Sequence, residues 1–240
     1  IQGLDLHPRQ PQRLIIVALV AAGQDGPAAV GPALSKIVID ETLPGVSPVA
    51  PLTGAAQAEH LIQAIGQHKN GVAIALLQWS GGLLGKIAID WTVVSSETSV
   101  RTLAARVVQA PRANTGNYTA ISTAINRSVE MLESNVQIGD YRRIDISGDG
   151  RNNSGQHPSQ ARSAAISKGI TINGLAILDG DAGLAAYYRA NVTGGPGSFV
   201  ISADDFEDFA KAMKRKLGRE LSLQVSTAPA YKLDDRHAAR

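Results

Sequence analysis

Residues 142–150, with the sequence RRIDISGDG, decide the fold class. Ile144 and Ile146 alternate with polar residues, which predicts a β-strand with these two side chains on one face and Asp145 on the other. We interpret Asp145 as structural, either a buried acid bonded to loop amides or a solvated residue at the sheet end. The sequence Gly148-Asp149-Gly150 then predicts a tight turn. In open α/β sheets ligands bind beyond the carboxyl ends of strands, so this turn is a candidate functional site.

Strands and helices alternate on both sides of this stretch. Downstream, apolar spacing predicts helices at 158–168, 182–190 and 203–221, with strands at 170–177 and 198–201. Upstream, it predicts a strand at 35–40, a helix at 55–67, strands at 71–79 and 86–94, and helices from 95 to about 109 and at 119–134. The strands at 71–79 and 86–94 flank a glycine-rich turn, which predicts an antiparallel hairpin. This alternation predicts a three-layer α/β sandwich.

The composition excludes several classes of protein. Hydrophobic residues make up 44% and aromatic residues only 4%, so a core of Ala, Val, Ile and Leu is expected. The absence of cysteine excludes disulfides, thiolate zinc sites and a cysteine nucleophile. Lys and Arg number 23 against 21 Asp and Glu, a balance that argues against a nucleic-acid-binding protein. No Gly-x-Ser-x-Gly motif supports a serine hydrolase.

The longest apolar run, Leu14–Ala22 (LIIVALVAA), allows two interpretations. It is about half the ~20 residues that a membrane-spanning helix needs, so no transmembrane span is predicted. Arg9 and Arg13 precede it and small residues follow, which is the layout of a secretory signal. A short run rich in β-branched residues is equally typical of a buried strand. We therefore predict an N-terminal segment (1–33, a signal peptide or irregular extension), a domain (34–222) and a C-terminal tail (223–240).

Four stretches resemble a bacterial family of uncharacterised von Willebrand factor A-like proteins. They are IDISGDGRNN (144–153), GITING (169–174), AYYR (186–189) and GGPGSFVISADDFEDF (194–209). The resemblance covers residues 55–221 and implies a Rossmann-like open sheet, mostly parallel, with one antiparallel edge strand. It also implies a non-catalytic protein-binding module with a degenerate metal-ion-dependent adhesion site, in a periplasmic or secreted location.

The resemblance implies a Mg²⁺ (or Mn²⁺) site at the carboxyl edge of the sheet, built from hard oxygen ligands. Thr119, in the middle loop, and Asp149, after a later strand, match the family's ligands. Their alternative roles are a helix N-cap for Thr119 and a turn residue for Asp149.

The Asp-x-Ser-x-Ser motif that follows the first strand of the family is missing, and two placements compete. If Leu14–Ala22 is the first strand, Leu19, Ala21 and Gly23 take the ligand positions, and none of them offers a side-chain ligand. If Lys36–Asp40 is the first strand, Asp40 and Thr42 are the ligands and Pro44 takes the last position. We prefer the second placement.

The loops around these ligands form the predicted partner-binding surface. Its candidate contact residues are Asn117, Tyr118, Arg151, Asn152 and Asn153. A bound cation would accept an acidic side chain of a protein partner; without one, the surface would bind through shape and hydrogen bonds. Two alternatives stay open: a metal-assisted phosphoesterase using Asp149 and Asp40, and a structural scaffold with a vestigial metal site. The basic cluster at 211–219 is interpreted as the solvated face of the last helix.

Overall fold

The predicted alternation of strands and helices is present in the computed structural model, which describes residues 13–20, 71–79, 85–110, 118–136, 139, 141–178, 180–205 and 208–222. The described elements are β1 (Arg13–Val20), β2 (Val72–Trp79), β3 (Lys86–Val94), α1 (Glu97–Gln109), α2 (Ile121–Ser134), β4 (Arg142–Gly148), α3 (Pro158–Ser167), β5 (Ile170–Ile177), α4 (Leu184–Asn191), β6 (Val200–Ala203) and α5 (Phe209–Ser222). The predicted strand at 35–40, helix at 55–67, turn at 80–82 and tail at 223–240 lie outside the described residues.

The six strands form one sheet in the order β3-β2-β1-β4-β5-β6. All neighbouring pairs are parallel except β2 and β3, which form an antiparallel hairpin at one edge. The predicted α/β fold class, mostly parallel with one antiparallel edge strand, is therefore confirmed.

Side-chain alternation along the strands builds a core on each face of the sheet. On one face, Ile144, Ile146 and Ile172 pack with residues of α2, α3 and α4. On the other face, Leu175 and Ile177 pack with residues of α1 and α5. Each fully buried aliphatic side chain of this kind contributes about 1.5–3 kcal/mol. These two cores make the three layers predicted from the sequence.

Gly174, in the middle of β5, allows α4 to pack closely on the sheet. A Cβ atom at this position would lie 2.9 Å from Tyr188 Cδ1 and 2.9 Å from Thr193 Cγ2, nearer than real Cβ contacts. The glycine therefore makes room for Tyr188, whose ring is fully buried.

The apolar run near the N-terminus forms a strand of the sheet. Residues 13–20 form β1, which pairs with β2 on one side and β4 on the other. Of the two interpretations of the apolar run, the structure shows the strand, so the α/β fold includes residues upstream of the predicted start at residue 34. β1 is the first strand of the described chain and has partners on both sides. The alternative first strand of our preferred placement, Lys36–Asp40, lies outside the described residues.

No helix within the described ranges is both long enough and apolar enough to cross a membrane.

Candidate functional site

Two loops are joined at the carboxyl edge of the sheet, the loop after β4 and the segment before α2. The backbone N–H of Asn153 donates to the carbonyl oxygen of Thr119 (2.9 Å). The Asn153 Oδ1 in turn accepts the backbone N–H of Thr119 (2.7 Å). Since these two bonds run in opposite directions between the same two residues, they fix the loops against each other.

Asn152 also links the two loops, because its side chain accepts a hydrogen bond at the start of α2. The residue before this helix is Ala120, which has no side-chain acceptor for the first helical N–H groups. Asn152 Oδ1 accepts the N–H of Ile121 instead (2.8 Å), and its Nδ2 donates to the carbonyl oxygen of Gln156 (3.2 Å). A side chain from the β4 loop thus replaces a local cap.

The join brings the two predicted metal ligands of the described chain into one place. A Cβ atom at Gly150 would lie 3.1 Å from Thr119 Oγ1, so the threonine hydroxyl lies directly against the turn that carries Asp149. Both Thr119 and Asp149 are partly exposed. A hydroxyl and a carboxylate at the mouth of the sheet are oxygen ligands of the kind that Mg²⁺ prefers.

Two tyrosines of α4, Tyr187 and Tyr188, lie near the loop that carries Asp149. Burial of Tyr188 raises the pKa of its phenol above the ordinary value, and the negative charge of Asp149 raises it further. The carboxylate therefore lies within electrostatic range of the phenol. The neighbouring Tyr187 accepts the backbone N–H of Asn152 at its hydroxyl oxygen (3.3 Å).

A third loop, between β5 and α4, joins the site through Arg151. Arg151 Nε lies 2.7 Å from Asp181 Oδ2, and its Nη2 lies 3.2 Å from Oδ1. The hydrogen bond from Arg151 holds the pKa of Asp181 below its usual range. The guanidinium also lies over the Tyr187 ring, 5.4 Å from its centroid. Because Arg151 is 53% exposed, this pair orients the side chain more than it stabilises the fold.

The sequence predictions missed Asp181. It follows β5 between Gly180 and Gly183, so the same rule that identified Asp149, an acid just beyond the carboxyl end of a strand, applies to it.

The structure places most of the predicted site residues together. The two joined loops contain Thr119, Asp149, Arg151, Asn152 and Asn153. Tyr118 precedes Thr119 and has 63% of its surface exposed. The Oδ1 atoms of Asn152 and Asn153 are used in internal hydrogen bonds, which makes them organisers of the loops.

The remaining candidates, Asp40, Thr42 and Asn117, lie outside the described residues. Within the part of the chain that the structure describes, no group of three or more acidic or histidine side chains is placed to hold a metal ion. The predicted metal ligands within the described residues are therefore one hydroxyl, from Thr119, and one carboxylate, from Asp149.

The fold defines the class of protein as von Willebrand factor A-like. Similar solved structures include proximal thread matrix protein 1 from the mussel byssus, with a TM-score of 0.58, 14% identity, and coverage of 86% of this chain and 47% of that chain. The pilus adhesin SpaC from Lactobacillus rhamnosus GG has a TM-score of 0.55, 12% identity, and coverage of 88% and 30%. A von Willebrand factor type A protein from Catenulispora acidiphila has a TM-score of 0.54, 11% identity, and coverage of 88% and 43%. The chain spans less than half the length of these proteins.

Residues 50–225 match the family described as a protein of unknown function, DUF1194, and the chain belongs to that family. No curated protein matches the sequence. The predicted membership of an uncharacterised von Willebrand factor A-like family is confirmed.

Proposed function

We propose that the protein is a non-catalytic binding module whose protein partner docks at the carboxyl edge of the sheet. The observation that carries this proposal is the contact of Thr119 with the Gly150 turn, held by the reciprocal hydrogen bonds of Asn153. A pre-organised surface of this kind binds without a large ordering cost. Exposed Tyr118 and half-exposed Arg151 would supply partner contacts. That one structural relative is a pilus adhesin supports a binding role and a periplasmic or secreted location.

We propose further that the site takes Mg²⁺ or Mn²⁺. The hydroxyl of Thr119 and the carboxylate of Asp149 would hold the ion. Asp40 and Thr42, the predicted ligands of the other placement of the first strand, lie outside the described residues. A relative with a similar fold is described with a zinc-occupied metal-ion-dependent adhesion site motif, which supports a divalent cation. Bound there, the cation supplies a coordination position for a carboxylate of the partner. The phosphoesterase alternative needs Asp149 and Asp40 together, and Asp40 lies outside the described residues.

The metal proposal is tested by calorimetric titration of the full chain with Mn²⁺ and Mg²⁺. We expect saturable binding that is lost in Asp149→Ala and weakened at least about tenfold in Thr119→Ala, because each substitution removes an oxygen ligand. Asp204→Ala is the matched control: Asp204 follows β6 as Asp149 follows β4, and it is exposed. Equal binding by the Asp149 and Asp204 variants, or none at millimolar metal, would contradict the metal site.

The binding role is tested separately by capture of envelope proteins on immobilised wild type and on Tyr118→Ala/Arg151→Ala. We expect the double variant to lose the proteins that wild type retains. If both retain the same set, the partner does not dock at this surface, whatever the metal titration shows.

A further inference from the structure

Four ionisable side chains meet beneath α5, on the face of the sheet opposite α2, α3 and α4. They are Arg143 and Asp145 of β4 and Lys216 and Glu220 of α5. Asp145, Lys216 and Glu220 are fully buried, and the side chain of Arg143 is 12% exposed. Ionised groups are rarely buried to this extent unless they are paired, because removal from water costs several kcal/mol per ion.

The contacts within this buried cluster are unequal. Lys216 forms an ion pair with Asp145, and its Nζ lies 4.0 Å from Glu220 Oε1. Arg143 Nη1 lies 3.5 Å from Glu220 Oε2 and donates to the Glu220 backbone carbonyl oxygen (3.2 Å). Lys216 therefore lies closer to Asp145 than to Glu220, and the charge of Glu220 is offset only by the longer contacts with Arg143 and Lys216.

Among the described residues, the other elements that pack here add no further charge. Asn173 of β5 donates from Nδ2 to Glu220 Oε1, while its Oδ1 accepts the backbone N–H of Phe199 (3.1 Å). On the other side of β4, the residue of β1 in register with Asp145 is Val17, and residues 14–20 contain no titratable side chain. The protonation state of Glu220 therefore depends on Asp145, Lys216 and Arg143.

Burial raises the pKa of Glu220 to about 8, and the negative charge of Asp145 adds to this effect, while Lys216 and Arg143 oppose it. The packed cluster therefore favours the protonated form of this carboxyl. A glutamate in water has a pKa of about 4.3 and is ionised at neutral pH.

The two halves of α5 are held differently. Phe209, Ala212 and Met213, in its first half, belong to the apolar core on this face. In its second half, Lys216 and Glu220 contact the sheet through the buried cluster, and partly buried Leu217 adds an apolar contact. A change in the charge of the cluster therefore acts on the second half of the helix.

We propose that the cluster is a protonation-controlled latch, which holds the second half of α5 on β4 and β5 while Glu220 carries a proton and releases it when Glu220 ionises. When folding raises the pKa of an acid, the protonated acid stabilises the folded state. This contribution is complete when the pH is below the pKa of the unfolded chain, and it is lost as the pH rises toward the pKa of the folded chain. The latch therefore weakens between about pH 4.3 and pH 8.

The test is amide hydrogen exchange of the full chain at pH 6 and pH 8, corrected for the intrinsic exchange rate. In wild type we expect the protection of residues 216–222, relative to that of α2, to fall at least about tenfold from pH 6 to pH 8. The reason is that Glu220 loses its proton when the second half of α5 detaches from the sheet in this pH range. In Glu220→Gln, which cannot ionise, the ratio should stay the same at both pH values. Glu133→Gln, on the exposed surface of α2, is the matched control and should behave as wild type.

Two results would overturn the latch. One is wild-type protection of α5 relative to α2 that is equal at pH 6 and pH 8, a result that needs no variant to fold. The other is the same loss of protection in Glu220→Gln as in wild type, which would assign the pH dependence to another group.

Discussion

Asp145 shows how a single buried residue can serve the fold through its charge. Among the described residues it forms an ion pair with Lys216, and both side chains are fully buried. Substitution of Asp145 by Asn keeps the size and removes the charge, so Lys216 loses its nearest counter-charge. We expect the free energy of unfolding to fall by about 3–5 kcal/mol, measured by urea denaturation at pH 6.

An exposed ion pair provides the control for this prediction. Glu97 and Arg101 pair at 2.7 Å on α1, with 54% of each side chain exposed. Glu97→Gln should cost no more than about 0.5 kcal/mol. A similarly small loss in Asp145→Asn would show that Lys216 does not depend on the charge of Asp145.

The prediction that the basic cluster at 211–219 is a solvated face was wrong for Lys216. Lys211 and Arg215 are exposed, but Lys216 is fully buried. A signal was present: Phe209, Ala212, Lys216 and Glu220 recur every three or four residues, so they share one face of α5. Local sequence does not reveal that Asp145 lies opposite this face, because the pairing depends on how α5 is set against β4.

At the scale of single elements, the start of α2 depends on a residue from another loop. Asn152→Ala removes the acceptor for the Ile121 N–H, and Ala120 offers no replacement. By analogy with the loss of a helix cap, we expect a destabilisation of about 0.5–2 kcal/mol in thermal unfolding. The Ile121 amide should also exchange faster.

Gln160→Ala, at an exposed position of α3, is a suitable control for this change and should have little effect. If Asn152→Ala matched it in both stability and Ile121 exchange, α2 would not need the asparagine, and the bonds of Asn153 and Ser154 to Thr119 would suffice to join the two loops.

Most elements were predictable because their apolar periodicity is strong. The strands at 86–94 and 170–177 agree with β3 and β5, and the hairpin is present. The last helix begins at Phe209 and not near residue 203, since β6 extends to Ala203. The apolar run at 14–22 was ambiguous for a physical reason: a short apolar run flanked by arginines and small residues satisfies both a signal and a strand.

At the scale of the whole molecule, the topology locates the site. β1, β4 and β5 are parallel neighbours, so their carboxyl ends lie along one edge of the sheet. The acids Asp149 and Asp181 follow two of these ends. Sequence alone predicted the Asp149 turn from this rule, but the contact of Thr119 with Gly150 and the pairing of Arg151 with Asp181 required the folded chain.

The central position of β1 gives a prediction for the whole molecule. A chain that begins at residue 34 lacks the strand that joins β2 to β4, so the sheet would be divided into β3-β2 and β4-β5-β6. We expect this chain to show no cooperative thermal transition and to lose the near-ultraviolet circular dichroism of its packed aromatic residues, because two small sheets bury too little apolar surface. A chain that begins at residue 10 keeps β1 and should unfold as the full chain does. Native-like unfolding of the chain from residue 34 would instead favour the signal-peptide interpretation of residues 14–22, since the domain would then fold without them.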